Sequence, residues 1–329
     1  IAREFGPDIL GVWVLLSLIS AYAEGFGRLK TDVASVYMIG SKKAKEEIIL
    51  FSTTLFALTS GFLLASILLW NFDSLANILF RNTDGNYSEH LFFIVLVIPF
   101  EFLLYNYTYF YIALEKVSIY NRIKVLQAVI NFILIFGLII IFEFDLWAIV
   151  IAKVVSVLAP LLYGYLNTEN KHWISIRYRW NYDLTREILK YAFNFYIVGI
   201  LGNISRLTTK TIAASFFNPS QLAFYNQGES SGRFINVIPN SLATILYPRI
   251  SSTADYKESL EISCQSFRLT LVVLSMAGAL LYLIANPLIV FLYGDIFKPT
   301  AEVLKLAIPG FVIGSSCLTL KSYFEGRGE

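Results

Sequence analysis

Apolar runs of helix length alternate with short polar segments about nine times along this chain. That alternation restricts the fold more than any motif does. The hydrocarbon core of a bilayer takes roughly 20 apolar residues per helix, and the runs have that length. Hydrophobic residues make up 56% of the chain and charged residues 15%, with a mean hydropathy of +0.62. A water-soluble domain carries more charge and could not cover so much apolar surface. The spans read as residues 9–28, 48–70, 91–114, 123–142, 146–166, 188–217, 221–246, 267–285 and 303–324. They are expected to be helices, because a lipid-exposed segment must satisfy its backbone internally. The regular polar–apolar alternation of membrane barrel strands is missing. The expected fold class is an all-α polytopic membrane protein.

Several function classes drop out. The net charge of +2 is small and the basic residues are scattered, so no nucleic-acid stripe is present. Cys264 and Cys317 lie far apart without metal-ligand spacing, and His90 and His172 stand singly in loops. No partnered nucleophile, phosphate-cradling glycine loop or metal cluster is written in the chain. Neither cofactor, metal nor enzymatic activity is expected. The chain starts at Ile1 rather than Met and stops just after an apolar run. It reads as a piece of a longer protein with spans missing at each end.

Lysine and arginine alternate across the spans. Arg28, Lys30, Lys42, Lys43 and Lys45 follow the first span, Lys116, Arg122 and Lys124 the third, and Lys171, Arg177, Arg179, Arg186 and Lys190 the fifth. Arg249, Lys257 and Arg268 follow the seventh, and Lys321 and Arg327 the ninth. The opposite loops hold Arg3, Arg81 and Lys298. Basic loops stay in the cytoplasm, so the lysine-rich side is expected to be cytoplasmic.

The chain also echoes itself. Phe5-Gly6-Pro7-Asp8-Ile9-Leu10 opens the first span and Phe217-Asn218-Pro219-Ser220-Gln221-Leu222 the seventh. Asn71-Phe72-Asp73-Ser74-Leu75 matches Asn286-Pro287-Leu288, and Pro99 matches Pro309. Six spans separate matching positions, so the two halves insert with the same orientation, as parallel repeats. The expected lobes are residues 1–167 and 188–329, joined by a cytoplasmic loop at 168–187. Two parallel helical lobes suit an alternating-access transporter.

A charge inside an apolar run is expensive and marks a candidate site. Lys153, Arg206, Lys210 and Arg233 are the cations so placed, and Glu101 and Glu229 the anions. Glu24 and Lys305 stand nearer span ends, where snorkelling accounts for them. Glu229 precedes Arg233 by one turn, so the two either neutralise each other or leave Arg233 to meet an anionic substrate. Arg206 and Lys210, also one turn apart, repel unless an anion sits between them or Lys210 reaches headgroups. Lys153 either meets substrate or pairs with Glu101 from another helix. Tyr105, Tyr107, Tyr109 and Tyr111 surround Asn106 and Thr108. These residue types suit sugars, yet their spacing fits helix packing or an interface belt better.

Short motifs in order along the chain carry a resemblance. Ala2-Arg3-Glu4-Phe5-Gly6-Pro7-Asp8-Ile9-Leu10-Gly11-Val12-Trp13 resembles the opening of bacterial polysaccharide flippases, the O-antigen and exopolysaccharide translocases of the multidrug/oligosaccharidyl-lipid/polysaccharide superfamily. Ala23-Glu24-Gly25-Phe26-Gly27 is similar to the end of that family's second helix, with Glu where Asp is usual. Leu189-Lys190-Tyr191-Ala192-Phe193, Phe224-Tyr225-Asn226, Tyr247-Pro248-Arg249-Ile250-Ser251 and Asn286-Pro287-Leu288-Ile289-Val290-Phe291-Leu292-Tyr293-Gly294 resemble later motifs. Ser205 stands where the family often has Asp, which removes one partner for Arg206.

The resemblance implies a two-lobe transporter of 12–14 helices, of which about nine are visible here. It implies translocation of an undecaprenyl-pyrophosphate-linked oligosaccharide repeat across the bacterial cytoplasmic membrane. Arg206, Arg233, Lys210 and Lys153 would contact that substrate, with Glu101 and Glu229 as charge partners. The implied partners are the lipid-linked oligosaccharide, membrane lipids, a polysaccharide polymerase and chain-length proteins. An ion-coupled multidrug exporter of the same superfamily and a membrane glycosyltransferase or polymerase are the alternatives.

Overall fold

In a computed structural model, residues 2–42, 44–142, 144–168, 182–252 and 255–327 are described. Expectations about Lys43, Lys171, His172, Arg177 and Arg179 therefore lie outside the described residues, as does the side chain of Arg206. The described backbone is helical: α1 (Ala2–Tyr22), α2 (Thr31–Gly40), α3 (Glu46–Trp70), α4 (Phe72–Leu79), α5 (Ser88–Ala113), α6 (Val117–Phe142), α7 (Leu146–Leu166), α8 (Tyr182–Phe216), α9 (Pro219–Gly232), α10 (Val237–Ser252), α11 (Tyr256–Tyr293) and α12 (Lys298–Arg327). A π turn at Ala23–Gly27 follows α1, and single 3₁₀ turns at Arg233–Asn236 and Asp295–Phe297 precede α10 and α12.

Among the described residues, eight helices are long and apolar enough to cross a membrane. They coincide with eight of the nine spans expected from sequence. The seventh departs: residues 221–246 fold as α9, a 3₁₀ turn and α10. Two causes are local. Pro239 has no N–H to give the carbonyl of Ile235, and its ring crowds the turn before it, which tightens the backbone there. The segment also carries Asn226, Gln227, Glu229, Arg233, Asn236 and Asn240, so its composition is not that of a simple lipid-facing helix. Elsewhere helices outrun the apolar stretches. Pro287 sits inside α11, which continues to Tyr293, and the loop expected after the first span contains α2.

The chain divides into two compact units, Val12–Pro219 and Ala2–Gly11 with Ser220–Glu329. In the first, α5 lies at the centre and packs on α2, α3, α6 and α7. Its core joins Met38, Leu50, Tyr107, Tyr111, Ile123, Leu161 and Ile188. Gly61 lets α3 approach α5 closely, since a Cβ there would fall 2.6 Å from the Cα of Pro99. The Tyr111 hydroxyl donates to the Gly164 carbonyl at 2.6 Å, tying α5 to α7. α8 packs on α2 and the π turn. There Tyr196 donates to the Phe26 carbonyl at 2.7 Å and Asn203 to that of Gly25 at 3.4 Å.

In the second unit α12 packs on α10 and α11. Leu246, Ile250 and Tyr323 form one buried cluster. The opening motif is explained here. Gly6 has φ 70°, a conformation natural to glycine, and breaks α1. Pro7 then starts the regular helix, where its missing N–H costs nothing. Arg3 donates to the carbonyls of Val290, at 3.1 Å, and Phe291, placing a cation at the negative end of α11. The two copies of the repeated motif meet, since the Ser220 hydroxyl donates to the Asp8 carboxylate.

Candidate functional site

Three acidic and three basic side chains collect inside the first unit, and they start at the π turn. One residue more than an α-turn is fitted between Ala23 and Gly27, closed by the Arg28 N–H on the Ala23 carbonyl at 3.2 Å. Such turns recur at functional positions. Arg28 is 6% exposed. Its guanidinium lies 3.4 Å from Asp32 and 3.9 Å from Glu24. It also lies over the Tyr105 ring, 4.2 Å from the centroid, and 5.8 Å from that of Tyr109. Lys124 of α6 approaches the same Tyr105 ring at 5.6 Å, and Tyr105 is hydrogen-bonded to Glu24. Asp32 is buried in the first turn of α2, where the helix dipole favours a carboxylate. Burial nevertheless pushes its carboxyl above the usual range, against the pull of Arg28 and Lys30.

A second pair continues the network. Glu101 of α5, also buried, pairs with Lys153 of α7. Glu101, Tyr105 and Tyr109 follow at one-turn spacing and share one face of α5, so the carboxylate, the rings and Arg28 line the same side. The donor set is not saturated: Nε of Arg28 is buried without a hydrogen-bond acceptor, and Nη1 faces its carboxylates at ion-pair distance without a hydrogen bond. A planar guanidinium matches a carboxylate or phosphate bidentately. The arrangement can therefore hold an anion in exchange for one of its own carboxylates.

The residues singled out in the sequence fall in three places. Lys153 joins the network by pairing with Glu101, the alternative left open for it. Arg233 pairs with Glu229 at 2.5 Å within its own helical segment, in the second unit. Lys210 lies on α8, part-buried and with an interaction partner. Sequence reasoning missed Arg28, Asp32, Tyr105, Tyr109 and Lys124. The signal was present: Glu24, Arg28 and Asp32 alternate in sign at four-residue spacing. Among the described residues no group of histidines, cysteines and carboxylates could hold a metal ion.

The chain is similar to an inward-facing multidrug resistance MATE family transporter of the MOP superfamily, with TM-score 0.78 and 15% identity over 100% of this chain and 79% of that one. It is similar to the Vibrio cholerae MATE transporter VcmN, with TM-score 0.58 and 17% identity over 96% and 74% of the two chains. The eukaryotic MATE transporter AtDTX14 gives TM-score 0.61 and 15% identity over 99% and 80%. Identities this low speak for the fold alone. No curated protein matches the chain by sequence. The family model described as "Polysaccharide biosynthesis protein" matches residues 1–302. Eight apolar helices in a MATE-like fold, under a sequence model covering most of the chain, place it plainly: the chain is a multi-pass membrane protein and belongs to the polysaccharide biosynthesis protein family.

Proposed function

We propose that the chain moves a lipid-linked oligosaccharide, an undecaprenyl-pyrophosphate-linked repeat unit, from the cytoplasmic to the outer leaflet of a bacterial cytoplasmic membrane. The observation that carries this reading is the conjunction of a polysaccharide-biosynthesis sequence model over residues 1–302 with a transporter fold. Cations at membrane depth support it. A pyrophosphate headgroup needs basic partners there, and Arg206, Arg233, Lys210 and Lys153 are the side chains we assign, with Glu101 and Glu229 as their exchangeable counter-charges. Sugar-polymerising and chain-length proteins are the partners such a step would feed.

The test is complementation, with the full-length gene, of a strain lacking its own polysaccharide flippase. Surface polysaccharide should return, and Arg206→Ala and Arg233→Ala should abolish it while the protein still inserts. No restoration by the parent gene would overturn the reading. Lowered drug accumulation in the same cells would favour a multidrug exporter instead, a structural neighbour being a multidrug resistance transporter. Orientation is checked separately. A cysteine at position 84 should react with an impermeant reagent from outside, and one at position 42 should not.

A further inference from the structure

An apolar groove opens between α3, α5 and α7 of the first unit, on the face of α5 opposite Tyr105. Its volume is about 440 Å³, within the range of roughly 300–1,000 Å³ typical of ligand sites. Thr54, Leu58, Phe100, Tyr107, Leu162 and Tyr165 are among its walls. The Thr54 hydroxyl is already taken, accepting from Asn106 Nδ2 at 2.9 Å. The groove thus has little to offer a sugar or phosphate, and its occupant must be hydrocarbon. Leu162 is 56% exposed, so the groove opens sideways to the surroundings of the helices.

Two further observations choose among hydrocarbons. The first is depth. At 1.5 Å per residue, all six positions lie within about 20 Å of the same end of their helices: the start of α3 and the ends of α5 and α7. The second is charge. That end carries exposed Lys42 and Lys45 before α3, Lys116 after α5 and exposed Arg122, hydrogen-bonded to Tyr163 of α7, among the carboxylates Glu46, Glu47 and Glu115. By the positive-inside rule this is the cytoplasmic end. The groove therefore occupies the leaflet from which the proposed substrate starts, below basic groups at headgroup level. One groove takes one chain, which fits a single-chained polyprenyl phosphate better than a two-chained phospholipid.

We infer that this groove seats the polyprenyl chain of the lipid-linked substrate while its phosphate lies at the basic end of the three helices. The inference rests on the function proposed above and names where that substrate's tail is held.

The experiment uses the full-length protein in phosphatidylcholine nanodiscs with two probes, a benzophenone-bearing polyprenyl phosphate and a benzophenone-bearing phosphatidylcholine. The polyprenyl probe should label peptides containing Leu58 or Leu162. Unlabelled undecaprenyl phosphate should compete at concentrations at least about tenfold below those of phosphatidylglycerol. Leu162→Trp, at a site exposed enough to accept the larger ring, should lower labelling and flipping together, with Leu58→Trp as the second variant. Equal labelling by both probes without competition would reduce the groove to ordinary lipid-facing surface. Normal flipping by both Trp variants would also overturn the inference while leaving the function standing. Selective competition without any flipping would keep the groove and overturn the function.

Discussion

The first unit buries charge between its helices, and the second keeps its charge pairs within single helical segments. In the first, Lys153 of α7 meets Glu101 of α5 between helices, and Arg28, though its partners Glu24 and Asp32 are each four residues away, is buried under the rings of α5. In the second, the pairs among described residues are local, one turn apart: Glu229 with Arg233, Asp295 with Lys298, and Glu302 with Lys305. A local pair neutralises a charge without fixing one helix against another. A buried pair between helices cannot be broken without stranding a charge, so it also fixes their packing.

Substitutions can break this contrast. Arg28→Ala should have the largest effect, about 3–5 kcal/mol of stability, because it leaves Asp32 buried beside nothing but Lys30 and its own helix end. Thermal unfolding of the purified protein in detergent measures it. Asp32→Asn should cost clearly less, since burial already works against its charge. If Asp32→Asn is the more damaging, the pair is held by the carboxylate and not by the guanidinium.

Glu101→Gln and Lys153→Met should each cost about 1–3 kcal/mol by stranding the other partner. The double variant should then recover at least about 1 kcal/mol of the summed loss. Strict additivity would show that the pair does not couple α5 to α7. In the second unit, Glu229→Gln should change stability by only about 0.5 kcal/mol. Arg233→Gln should do the same while still impairing transport, which separates function from fold. Lys305→Ala should be smallest, within about 0.5 kcal/mol, as expected for a pair whose acid is largely solvated. A large loss at Lys305 or Arg233 would erase the distinction between the units.

Most of the fold was legible because hydropathy reports the one constraint that dominates in lipid. Eight spans followed directly. The seventh was over-read as a uniform helix, because a 20-residue window averages away Pro239 and the asparagines around it. Ion pairs were legible as one of two readings: Glu229 and Arg233 are one turn apart, and Glu101 and Lys153 are isolated opposite charges of the third and fifth spans. The Arg28 cluster was not, for two reasons. The first span was ended at Arg28, so Glu24 was counted as snorkelling and Asp32 as loop. The tyrosines were judged as a consecutive run, which hid that only Tyr105 and Tyr109 share the face of Glu101. The groove leaves no trace in sequence at all, since leucines that line a hollow and leucines that fill one look the same.

The π turn at Ala23–Gly27 makes this cluster sensitive to length rather than to composition. Each residue of a regular helix turns the chain by about 100°. Deleting any one residue of the turn would restore an unbroken α-helix and swing Arg28 and all that follows around the axis by that amount. With Gly25 as the residue removed, every side chain of the cluster would still be present, but the guanidinium would leave the Tyr105 ring and Asp32 would turn away from its pocket. A single-codon deletion there should thus do what no single point substitution can, and part Arg28 from the α5 rings and move Asp32 in one step.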